Sequence, residues 1–148
     1  MGLGMLVRLT KDQIVHQWDT IKVAVRESLP PIADGAEDRM SRILSNMVFG
    51  TMQVWISQEN NQMSGLVVTT VTEDGSSGIK NLLIYCGYSF REVSRREFVE
   101  GIVTLKKYAK GKGCSRIVTY TTHPGFEQLF TRLGGEAIYR FLTLPVGE

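Results

Sequence analysis

Three arginines, Arg91, Arg95 and Arg96, fall within the stretch SFREVSRREFVEG at 89–101. Ser94 and Glu97 stand three apart, the spacing at which a serine caps a helix and a glutamate reaches back to the cap. The first turn of a helix carries a partial positive charge and unpaired N–H groups. Guanidinium groups gathered there are unfavourable unless a negative group joins them. The cluster therefore reads in two ways. It is a binding site for a phosphate-bearing ligand, or it is a solvated loop neutralised by Glu92, Glu97 and Glu100. Ser94 is the cap in either case.

Just upstream, Ile84, Tyr85, Cys86 and Gly87 end an apolar run. A glycine in such a run signals a bulge or a close approach of backbone. Cys86 is a nucleophile only where a neighbour lowers its pKa, and no such neighbour is visible in the sequence. The competing reading is a buried, inert thiol. Tyr85, Tyr88, Tyr120 and His123 are further polar groups in and after these strands. An imidazole titrates near 6.5 and suits proton transfer. His123 also precedes Pro124, a helix-start signal, where it could be a plain loop residue. Tyr120 could donate a proton or simply pack in a strand. Glu73 could act as a base, or be a solvated residue before the turn DGSSG.

Chain-wide properties bound the choices. With 148 residues, 43% hydrophobic and 22% charged, the chain is expected to form a single soluble domain over 1–148. A net charge of +2 is too small for bulk nucleic-acid binding, so any anion site is local and nucleic acid is not an expected partner. No apolar run reaches the length of a membrane span or a signal h-region. Gly2 follows Met1, but Leu6 breaks the myristoylation pattern. Cys86 and Cys114 lack metal-ligand spacing and read as free thiols of a reducing compartment. The expectation is a cytoplasmic protein that holds no metal.

The elements that position these residues follow from periodicity. MLVRL (5–9) predicts a short strand. Thr10 and Gln13 predict a capped helix with Ile14, Trp18, Ile21, Val25 and Leu29 inward, stopped by Pro30-Pro31. A second helix is predicted over about 36–49, with Met40 and Met47 inward and Gly50 as its cap. The period then changes, predicting strands at 52–57, 63–73 and 80–88. A long helix is predicted from Ser94 to about Lys112. Phe98, Ile102, Leu105 and Ala109 face inward, and Lys106, Lys107 and Lys110 lie on its solvated face. A strand (116–122), a short helix (124–135) and a last strand (136–146) complete the order β-α-α-β-β-β-α-β-α-β. That order predicts an α/β mixed sheet with helices on both faces, whose strand–helix–strand crossover is parallel and right-handed.

This order, with AKGKGCSRI (109–117) and FEQLFTRLGGEAIYRFLTL (126–144), resembles the GNAT N-acetyltransferase superfamily over nearly the whole chain. In style it is nearest to small phage- and prophage-encoded GNAT-like proteins. The resemblance implies an acyl-CoA-dependent N-acyltransferase that moves acetyl from acetyl-CoA to an amine. The acceptor would be a small molecule or a protein; a homodimer and a virion-associated location are also open. It implies backbone of Ile84, Tyr85, Cys86 and Gly87 on the pantetheine arm. It places the pyrophosphate at the helix start with Arg91, Ser94, Arg95 and Arg96. Tyr120, His123 and Glu73 are its candidates for proton transfer. The family's R/Q-x-x-G-x-G/A loop falls on Val93, Arg96 and Phe98, so both glycines are missing. Its usual Tyr acid falls on Phe130, which cannot donate a proton. A second reading follows: a GNAT-shaped protein without catalysis, in a structural or interaction role.

Overall fold

A computed structural model describes residues 5–121 and 123–147. Strand β1 (Met5–Arg8) leads into α1 (Lys11–His16). Thr10 and Gln13 form the expected capping box, side chain to backbone in both directions. The single helix predicted next is broken at Gln17, which leaves helical geometry, and α2 (Trp18–Glu27) resumes at once. The Gln17 carbonyl still accepts from the Ile21 N–H, so the apolar stripe runs through the break. Helix α3 (Glu37–Phe49) ends at Gly50, whose φ of 87° is the left-handed conformation that glycine adopts without strain.

Strands β2 (Met52–Glu59), β3 (Gln62–Glu73) and β4 (Lys80–Ser89) follow as a meander. Asn60 and Asn61 turn the first hairpin with positive φ, as short polar residues there can. Helix α4 (Arg95–Gly111) crosses to β5 (Arg116–Thr119), and α5 (Pro124–Arg132) comes last. The five strands lie in the order β1-β2-β3-β4-β5. All neighbours are antiparallel except β4 and β5, which are parallel as the crossover requires. The strand expected over 116–122 is shorter, and its Thr122 lies outside the described residues.

One sequence-based expectation is corrected. Residues 136–146 form no strand. Among the described residues their backbone makes no hydrogen bond, and a lone strand without a pairing edge has nothing to hold it.

The alternation of side chains builds two cores. Val54 and Ile56 of β2, with Leu66 and Val68 of β3, meet Ile21, Val25, Met40 and Met47 of the first three helices. Trp55, Leu82 and Ile84 point to the other face, against Ile102, Leu105 and Ala109 of α4. Trp55 and Met40 are thus core residues, and Lys106, Lys107 and Lys110 are exposed. Three polar side chains inside the sheet, Trp55, Thr69 and Gln53, are paired in a chain. Trp55 Nε1 donates to Thr69 Oγ1 at 2.9 Å, Thr69 donates to Gln53 at 2.8 Å, and Gln53 donates to the Gly50 carbonyl at 3.0 Å. Among the described residues no helix is long and apolar enough to cross a membrane.

Candidate functional site

The opening in the sheet begins with one extra residue. β3 and β4 pair from Gly65 opposite Ser89 to Val68 opposite Cys86, and then the register steps to Thr69 opposite Ile84. Tyr85 is the inserted residue of a β-bulge. The bulge resets the phase of the strand. Leu82 and Ile84 face α4, whereas Cys86 packs with the first three helices. The join to β5 ends at the same place. The parallel ladder runs only from Asn81 opposite Arg116 to Ile84 opposite Thr119. At the fork, Thr119 Oγ1 donates to the Ile84 carbonyl at 3.2 Å. Beyond it, the edge of Tyr85, Cys86 and Gly87 has no strand beside it on the β5 side among the described residues. Gly87 has room to spare, since a Cβ there would meet only the Leu66 carbonyl oxygen at 3.8 Å.

The start of α4 lies at the same end of β4. Ser94 Oγ accepts from the Glu97 N–H at 3.1 Å, and Glu97 Oε1 accepts from the Ser94 N–H at 3.4 Å. The same carboxylate is tied into the sheet. Its Oε2 accepts from Ser64 Oγ at 3.1 Å, and fully buried Ser64 lies 2.7 Å from Ser57 Oγ. Burial alone would raise the Glu97 pKa. The Ser94 N–H, the Ser64 hydroxyl and the Arg91 guanidinium together outweigh burial and hold it below the usual carboxylate range.

The three arginines part company here. Arg91 is bound to Glu59, to Glu97 at 3.5 Å and to the Glu92 carbonyl at 2.9 Å. Arg96 pairs with Glu100 at 3.2 Å, one turn along the helix. Arg95 is exposed and has no ion pair among the described residues. The N–H groups of Arg95 and Arg96, at the first two helical positions, also lack an acceptor among the described residues. The site thus offers one unpaired guanidinium and two backbone donors at the positive end of a helix.

Other candidates are placed plainly. Burial first, and then neighbouring Cys86, push the Tyr85 phenol up. The Glu27 carboxylate, by hydrogen bonding and then by charge, raises Tyr88. Tyr120 is raised by burial and by Tyr139. These phenols are proton donors at neutral pH. Burial drives the Cys86 thiol up to about 11, which removes it as a nucleophile. The His123 Nδ1 accepts from the Phe126 N–H at 3.1 Å, so this histidine caps α5. Glu73 stands opposite Lys80, where β4 begins, whereas the open edge of Tyr85–Gly87 lies toward the other end of that strand. Glu27, Glu59 and Ser64 are the residues that sequence reasoning missed, because no spacing rule joins them to residues 88–97.

The departures at Phe98 and Phe130 have a common structural setting. Phe98 meets Phe126 edge-on at 5.5 Å, and Phe126 stacks on Phe130 at 5.3 Å. The rings join α4 to α5, and a Tyr hydroxyl at position 130 is not needed for that contact.

No protein-family model and no curated protein matches the sequence. Solved structures do match in shape. The aminoglycoside N-acetyltransferase AAC(6')-Iy, in complex with the bisubstrate analog CoA-S-monomethyl-acetylneamine, superposes with a TM-score of 0.71 at 13% identity, over 96% of this chain and 97% of that one. A ribosomal-protein-alanine N-acetyltransferase from Brucella melitensis gives 0.67 at 12% identity, over 96% and 98%. A GNAT family acetyltransferase from Staphylococcus aureus gives 0.67 at 10% identity, over 99% and 100%. At such identities the likeness is one of fold, and the fold is that of the GNAT acetyltransferases.

Proposed function

We propose that this chain is an acyl-CoA-dependent N-acyltransferase that moves acetyl from acetyl-CoA to an amine of a small molecule or a protein. The observation that carries the reading is the fork at Ile84. β4 leaves β5 where it bulges against β3, so backbone groups of Tyr85–Gly87 have no β5 partner, and the unpaired donors at the start of α4 follow from the same end of β4.

The residues present fit coenzyme A at two points. The open edge of Tyr85–Gly87 suits the amide-bearing pantetheine arm, which can pair with it as a strand does. The Arg95 guanidinium and the N–H groups of Arg95 and Arg96 suit phosphate. Arg91 acts indirectly, by fixing Glu97 and the capped helix start. When bound, acetyl-CoA supplies an activated acetyl group. Backbone N–H groups of Tyr85–Gly87 would then face the developing oxyanion, where a fixed donor stabilises charge most. Tyr120, held protonated, is the donor for a leaving group at the mouth. Holding the two reactants in one cleft supplies much of the rate.

A second reading is favoured by one observation. The Glu97 carboxylate, ionised and braced by Ser64 and Arg91, stands in the first turn of α4 and already neutralises part of the positive charge there. A GNAT-shaped binding or structural protein without catalysis would keep the fold and lose the phosphate. Thermal unfolding with and without millimolar acetyl-CoA separates the two. Saturation at about 100 times Kd adds roughly 2.7 kcal/mol and a clear rise in Tm. Arg95→Ala should abolish the rise and leave the ligand-free Tm unchanged. No rise, with no heat of binding by calorimetry, rejects the enzyme reading.

A further inference from the structure

At the opposite edge of the sheet from the fork, β1 has no strand on its outer side among the described residues. The Leu9 N–H donates to the Val54 carbonyl at 2.8 Å, which continues the register of Val7 opposite Ile56. Antiparallel pairing alternates, so Val7 and Leu9 turn their N–H and C=O groups to β2. Leu6 and Arg8 turn theirs outward, and neither N–H has an acceptor outside the sheet among the described residues. Val7 is 50% exposed and Arg8 is exposed, so water reaches both faces of this edge. An open strand edge of this kind is a template for another extended chain.

The same edge is positively charged. Leu6 lies in the core beneath α4, and Arg8, two residues on, takes the same face. The Arg8 guanidinium sits 5.5 Å from the centre of the Tyr108 ring, and Lys112 Nζ lies 5.6 Å from that same centre. The ring is itself fixed edge-on against buried Trp55, at 5.1 Å. One aromatic ring thus gathers two cations beside the edge. Lys11, Lys107 and Lys110, all exposed, extend the positive surface. From Gly101 to Arg116 the chain carries no Asp or Glu. Among the described residues Arg8, Lys11, Lys107, Lys110 and Lys112 have no ion-pair partner.

We propose that β1 is a docking edge for an extended acidic peptide segment of another protein, which adds to the sheet as a further strand. The unanswered positive charge selects an acidic occupant. A strand added beside β1 alternates as β1 does. Its residues on the α4 face would be Asp or Glu, toward Arg8 and Lys112, and those on the other face would be apolar, beside Val7. A nucleic acid would answer the charge, but it has no peptide groups to pair with the outward N–H and C=O of Leu6 and Arg8. The docking edge and the fork lie at opposite ends of the strand order, so this proposal stands apart from the coenzyme A reading.

Fluorescence anisotropy of a labelled peptide that alternates valine and glutamate, titrated with the intact chain, tests this. The peptide should bind the wild type, and should bind the double variant Arg8→Gln, Lys112→Gln about tenfold more weakly. Both side chains are exposed, so the circular dichroism of the variant should be unchanged. The same peptide N-methylated throughout keeps its charge but cannot pair with an edge, and should not bind the wild type. In hydrogen exchange the peptide should slow the amides of Leu6 and Arg8. A wild type that does not bind the peptide overturns the proposal. So does a double variant that binds equally well, an N-methylated peptide that binds like its parent, or a bound peptide that leaves the Leu6 and Arg8 amides exchanging freely. A single-stranded oligouridylate that binds more tightly than the peptide would also overturn it, in favour of nucleic acid.

Discussion

Cys86 shows how one residue's chemistry is decided by the strand that carries it. The bulge at Tyr85 turns its thiol into the core under the first helices, and burial raises its pKa to about 11. Only the thiolate reacts with disulfide reagents, so Cys86 should resist 5,5'-dithiobis(2-nitrobenzoate) at pH 8 in the folded protein and react once denaturant is added. Cys114, half-buried, should account for the reaction seen without denaturant. Two fast thiols in the native state would contradict the burial. In the sequence, Cys86 could be read as an inert thiol because nothing nearby activates it. Which face it occupies could not be read, since a single inserted residue reverses the alternation and leaves no mark in the periodicity. The arginines were legible as a cluster, but their partners were not: Glu59 lies thirty-two positions from Arg91 and reaches it only through the β2–β3 hairpin.

At the scale of elements, the join between α4 and the hairpin carries a pH dependence. Glu97 caps the helix and binds Ser64 of β3, and its pKa in the fold lies below the ordinary range. A carboxylate shifted in this direction stabilises the fold fully above its unfolded pKa. The contribution is lost as pH falls through the folded pKa. Glu97→Gln should therefore unfold at lower denaturant than wild type at pH 7, and the gap should shrink steadily below pH 4. A gap that is constant with pH would mean that the carboxylate is unimportant to the join. Both capping boxes were written in the sequence, because each uses residues three apart and a local hydrogen bond. The final strand was expected and is absent for the opposite reason. Its residues have strand character, but pairing is a property of the neighbour and not of the segment.

For the whole molecule, the sheet is shared between two apolar layers that do not touch. Met40 and Leu105 are buried on opposite faces, at 0% and 2% exposure. Met40→Ala and Leu105→Ala should each cost about 3 kcal/mol. In urea each should still give one coincident transition by fluorescence and circular dichroism, because every strand of the meander belongs to both layers. Separate transitions would show that the layers unfold independently. The layer assignment was largely legible, since helical stripes and the change of period along the chain mark which residues turn inward. The opening was legible only through the family resemblance, because its position depends on where the β4–β5 ladder stops. The order of the strands in space has one more consequence. It is the same as their order along the chain, so each strand's partner has already left the ribosome when that strand emerges. The sheet can be laid down during synthesis one edge at a time, with no strand to be threaded between two others, and the cleft at the fork is the last part of the sheet to exist.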